Sequence, residues 1–106
     1  MLIVSSPNVP GKKIVKTLGL VKGNTIRARH IGKDILAAFR NIVGGEIHEY
    51  TKLMAESREQ AIDRMIENAE QMGANAVISM ISTTSMISQG AAELMVLGTA
   101  VIMEDE

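Results

Sequence analysis

Two histidines and a run of carboxylates are the first residues in this sequence that could do chemistry. In "NIVGGEIHEYTK", residues 41–52, two adjacent glycines precede Glu46, His48, Glu49 and Tyr50. A zinc-protease helix needs a second histidine four residues after the first, because imidazoles at i and i+4 share one helix face and both reach the metal. That position is Lys52, so the motif is broken. The other imidazole is His30, and there is no cysteine. A metal would therefore bridge subunits, using His30 or His48 with Glu46 or Glu49, since residues one or two apart on a helix face different ways. The structural alternative is a Glu46 that favours the positive end of a helix dipole beside a surface His48.

Anion binding is the second chemistry. Arg27 and Arg29, in "VKGNTIRARHIGKD", are two apart, so on an extended segment they face the same way and could grip an anion bidentately. Their alternative use is ion pairing with the acid-rich helix of a neighbouring subunit. Glycines before a helix can also cradle phosphate, but "GGE" lacks the G-x-x-x-x-G-K-[ST] pattern and Glu46 would repel the anion. The ligand-binding candidates are therefore Arg27, Arg29 and Tyr50, and the metal candidates Glu46 and His48. No G-x-S-x-G elbow or S-x-x-K accompanies the serines, and no acid–base pair stands out, so no catalytic role is expected. Eight methionines raise Cu(I) ligation, but their spacing matches core positions, where methionine fills irregular gaps.

The elements that must position these residues follow from periodicity. "LIV" is a short strand, and "SSPNVPG" is a turn-rich connector. "KKIVKTLGLVKGNT" alternates as a strand, with Gly19 and Gly23 marking a bulge, a bend or a close backbone approach. "IGKDILAAFRNIV" has helical spacing and ends near Gly44. Gly44 and Gly45 permit a sharp reversal, and a longer helix runs from about Ile47 to Met72. Its apolar stripe takes in Tyr50, Leu53, Met54, Ala61, Met65, Ala69 and Met72, and Gly73 closes it at C′. "ANAVISMISTTSM" and "AAELMVLGTAVIM" form two strands joined by "ISQG". The last strand is apolar on both faces, which a three-stranded antiparallel sheet with two helices on one side covers only once, so self-association is expected.

Composition bounds the rest. The 106 residues make one domain, 1–106, with an aliphatic core because Phe39 and Tyr50 are the sole aromatics. Eight basic residues against Asp34 in residues 1–45, and three against eleven acids in 46–106, point to basic and acidic elements facing each other. A nucleic-acid partner is not expected, because aromatic stacking residues do not interleave the basic segment. Neither a signal peptide nor a spanning run is present, so a cytoplasmic protein with no membrane partner is the expectation.

"NIVGGE", "MGANAV" and "GTAV", in this order within a match from Gly11 to Val101, resemble the bacterial YbjQ-like family of uncharacterised proteins. The resemblance implies a dodecin-like β-α-β-β subunit that assembles into a homo-oligomeric ring, with a pentamer the expected state. Members carry the label "putative heavy-metal-binding" with no established activity or cofactor. The chain departs from the family pattern at "MISTTSM" and "VLGTAV", which lack an arginine–aromatic pair and an aromatic. The combined reading is an α+β ring that binds a small anion or metal at subunit interfaces. Alternatives are a scaffold ring for a protein partner and an enzyme with a site shared between subunits.

Overall fold

The computed structural model describes residues 1–27, 46–88 and 91–106. Its elements are β1 (Leu2–Ile3), β2 (Lys12–Arg27), α1 (Glu46–Gln71), β3 (Ala76–Ser88) and β4 (Ala91–Asp105). They form a four-stranded sheet of order β1-β3-β4-β2, with α1 packed mainly on β2. β2 and β3 both run antiparallel to β4, and β1 runs parallel to β3. The α+β class holds, but the sheet is four-stranded and mixed where three antiparallel strands are expected from the sequence. The difference is β1. Two residues are too short to call a ladder from sequence, yet the bond from Leu2 N to Asn75 O (3.4 Å) and that from Val4 N to Val77 O (3.0 Å) pair the segment with β3. The first of the two expected helices lies outside the described residues, as do Gly44 and Gly45.

β2 shows what its glycines do. Gly19 has φ +136, in a region L side chains rarely adopt, and the pairing with β4 shifts between Thr17 and Gly19. The bulge changes the phase of the strand: Leu18 and Val21, three apart, pack in the same cluster, which strict alternation forbids. Beyond it, Val21, Gly23 and Thr25 are buried while Lys22, Asn24 and Ile26 are exposed. Gly23 has another role. A Cβ there would meet the carbonyl oxygen of Ala61 and lie 2.5 Å from Met65 N, so the α1 backbone rests directly on β2. Ala61, Met65 and Ala69 form the fully buried line of α1, four residues apart as one helix face requires.

The end of α1 follows a Schellman pattern. Gly73 has φ +85, its N–H bonds to Glu70 O (3.0 Å), and Ala74 N–H reaches Ala69 O (3.1 Å). Asn75 then locks the turn to β4, its amide donating to Met103 O and accepting from Met103 N, both at 2.8 Å. "MGANAV" is thus a helix stop, a side-chain clamp and the start of a buried strand. Gly98 of "GTAV" is likewise a packing glycine, since a Cβ would meet Val77 Cγ1 at 2.6 Å.

The sheet has two cores. Val21, Val77, Val96 and Ala100 join the α1 line on one face. On the other, Ala76, Ile78, Val101 and Met103 pack together under Val4 and Val9. The N-terminal segment, tied down by bonds from Ser79 N to Ser6 O and Met80 N to Val4 O, therefore covers one end of the second face within the same chain. Both faces of β4 are apolar as expected, and part of the second face is covered within the same chain.

Gly23→Ala is expected to lower stability by about 1–3 kcal/mol through overpacking, because the helix backbone has to move. Gly11→Ala, with φ +84 but open space around it, is expected to cost less than Gly23→Ala, about 1 kcal/mol. Thermal melts at matched protein concentration order the two variants. A second expectation concerns Lys12, whose Nζ lies 2.7 Å from Asp105 Oδ1 on the surface and, through that hydrogen bond and its charge, holds the Asp105 carboxyl below the usual aspartate range. A depressed carboxyl contributes stability above its ordinary pKa and loses it as pH falls through the depressed value. Lys12→Met is therefore expected to raise the Asp105 pKa in an NMR titration, while melting at pH 7 changes little because the pair is exposed.

Candidate functional site

The contacts along α1 fix its direction against the sheet. Thr25 Oγ1 donates to Ser57 O at 3.4 Å, Gly23 abuts Ala61 and Met65, and Gly19 faces Met72 Cε. The helix numbers rise as the strand numbers fall, so α1 runs antiparallel to β2. The C-terminal end of β2 and the N-terminal turns of α1 consequently lie at the same end of the fold.

That end gathers the residues singled out by their chemistry. Arg27 is the last residue of β2, opposite Ala92. Glu46, His48 and Tyr50 belong to the first turns of α1. Arg29 and His30 lie outside the described residues. From the Thr25–Ser57 contact, Arg27 is two strand residues on, about 7 Å, and Glu46 is eleven helix residues on, about 16 Å. The two backbones thus differ in level by roughly 10 Å. One end of the fold collects them, but one chain does not set Arg27 level with Glu46.

Between them and the core lies a polar relay that sequence reading missed. Arg64 Nη1 donates to the Asn24 carbonyl, and Asn24 Nδ2 donates to Glu93 Oε2 at 3.1 Å. Thr25 and Ser57 are buried beneath it. The relay stitches α1, β2 and β4 together near Arg27. The one sequence signal was Asn24, a polar residue at an outward position of β2; its partners, 40 and 69 residues away, carry no local pattern.

Among the described residues no group of three or more His, Cys, Asp or Glu is placed to hold a metal ion. Among the methionines whose side chains are described, Met65 and Met103 are core, Met54, Met80 and Met95 are half-buried, and Met1 and Met72 are exposed. Among the described residues no helix is long and apolar enough to cross a membrane. The prominent surface feature is apolar. On the sheet face away from α1, Leu20 (67% exposed), Ile26 (57%) and Ile81 (53%) stand on the two strands flanking β4.

A family model described as "Putative heavy-metal-binding" matches residues 1–104. A UPF0145 protein of Clostridioides difficile is 55% identical over 106 residues, covering 100% of this chain and 95% of the relative. One from Dehalococcoides mccartyi is 57% identical over 98% of this chain and 100% of its own length. One from Methanosarcina acetivorans is 52% identical over 95% of each. In three dimensions the chain is similar to a Pediococcus pentosaceus protein of unknown function from the DUF74 family, with TM-score 0.66, 12% identity and 98% of both chains covered. At that identity the likeness concerns the fold. Matched by the family model over nearly its whole length and by curated relatives at more than half identity, the chain belongs to the YbjQ-like UPF0145 family of uncharacterised proteins.

Proposed function

We propose that this protein is a homo-oligomeric binding module, a ring with five subunits the expected number, which holds a small anion or a metal ion where subunits meet. The observation that carries this reading is the sheet face away from α1, on which Leu20, Ile26 and Ile81 are exposed. Apolar side chains of this size on one face favour a partner surface, and a second copy is always at hand. Shape supports the same reading. The radius of gyration is 17.0 Å and the extents are 54 × 24 × 16 Å, whereas a compact domain of this length has a radius near 13 Å.

Assembly would also change what the candidate residues can do. His48 and Glu46 are too few for a metal site in one chain, but a ring repeats them in every subunit, and a shared axis or seam can bring copies together. The family description favours the metal arm. The basic end of β2 favours the anion arm, with Arg27 and Arg29 as donors and Tyr50 as a neighbouring candidate. No catalytic step is assigned.

Native mass spectrometry of the untagged protein, titrated separately with Zn²⁺ and inorganic phosphate, tests the reading. A ring that takes up either probe in fixed ratio is expected. Loss of charge-assisted bonds is expected to weaken binding about tenfold or more: of phosphate in Arg27→Ala/Arg29→Ala, or of zinc in Glu46→Gln/His48→Ala. A monomer at micromolar concentration would overturn the assembly. A ring that ignores both probes would overturn the ligand assignment in favour of a scaffold for a protein partner.

A further inference from the structure

We infer that copies of this chain join edge to edge, with β2 of one subunit running parallel beside the free part of β3 in the next. The inference rests on the ring reading above and names the seam through which the ring closes.

The sheet has two unequal edges. On the β3 side, β1 and the residues after it bond to β3 only as far as Met80, through Val4 O. From Ile81 to Ser88 no described strand lies on that side, and Ile81 to Ser85 are all exposed. An unpaired edge is a template for another strand, and proteins that avoid pairing place charge or proline there. Ala76–Ser88 contains neither. The other edge is the full length of β2, which carries Lys12, Lys13, Lys16 and Lys22.

Charge decides which edges meet. Two β2 edges side by side would set these lysines against one another, and would also crowd two copies of α1, each with seven acidic residues against three basic. β3 has no charge, so β2 beside β3 meets no like-charge repulsion. Direction agrees, because both strands are antiparallel to β4 and hence parallel to each other, and β3 already accepts a parallel strand in β1.

Packing agrees as well. α1 lies over β2 and β4 and hardly touches β3, leaving Ser82 and Thr84, on the helix side of β3, exposed. In an edge-to-edge array the neighbour's α1, carried on its β2, comes over this uncovered strip. On the opposite face, at the levels the strands share with β4, Leu20 of one subunit lies two residues from Ile81 of the next, and Ile26 lies level with Ser85. A head-to-tail interface of this kind uses both edges and, when the rotation closes, leaves none exposed.

The seam is drawn without stagger between subunits, so the levels that β2 and β3 share with β4 carry across it. Ile81 and Lys22 both oppose Leu97, and Met86 and Arg27 both oppose Ala92. The free part of β3 therefore matches the last six residues of β2. In that register the backbone of Arg27, the last residue of β2, lies level with Met86 of the next subunit.

The chain has no cysteine, so introduced thiols report cleanly. Asn24 and Thr83, both opposite Met95 and both exposed, are the chosen positions. An Asn24→Cys chain is co-expressed with a size-tagged Thr83→Cys chain and treated with a short bismaleimide, so every link joins different subunits. A covalent product containing one of each chain is expected, with neither variant forming dimers alone. Lys22→Cys with Ile81→Cys repeats the test should Asn24→Cys fail to fold. Homodimers of either single variant, or no link in a ring that native mass spectrometry shows intact, would overturn the seam and leave the ring reading standing. A monomer in that measurement would overturn both.

Discussion

The close approach of α1 to β2 at Gly23 is the contact on which the rest of the fold depends. With no room for a Cβ above that residue, the helix backbone sits directly on the strand, and Ala61, Met65 and Ala69 line the seam with Val21. Aliphatic packing this tight offsets the scarcity of aromatic residues, because dispersion contacts grow as surfaces interlock. The same contact places α1 over β2 and away from β3. A helix centred on the sheet would cover both flanking strands; this one leaves the helix side of β3 open and sets the Arg27 end of β2 beneath the first half of α1.

The opposite face is handled in two ways. Near the chain start, Val4 and Val9 close over Val101 and Met103, held by backbone bonds to the irregular turn of β3 at Ser79, a non-glycine residue at φ 55. On the same face Leu20, Ile26 and Ile81 are exposed. One face thus carries both an intramolecular strap and an apolar surface.

The family signatures read as mechanics. Gly73, Asn75 and Gly98 are respectively a left-handed helix stop, a clamp to the backbone of Met103 and a glycine under Val77. Each would be needed for the fold whatever the protein binds. None lies among the ligand candidates, so these signatures identify the family without locating a site.

Local pattern alone sufficed for a strand over 12–25, the long helix with its Ala61, Met65 and Ala69 line, its stop at Gly73 and the two-strand finish. These are set by local periodicity and by backbone freedom, which neighbours in the chain report directly. It also marked Gly19 and Gly23 as special without saying which was the bulge and which the close approach. Tertiary structure decided that, because the answer depends on residues of α1 some 40 positions away. It likewise decided that Leu2–Ile3 joins the sheet, that Arg64 and Glu93 meet at Asn24, and that Arg27 and the start of α1 share one end of the fold at different levels. Those outcomes rest on pairing between distant segments, whose energies come from long-range contacts that no local pattern encodes.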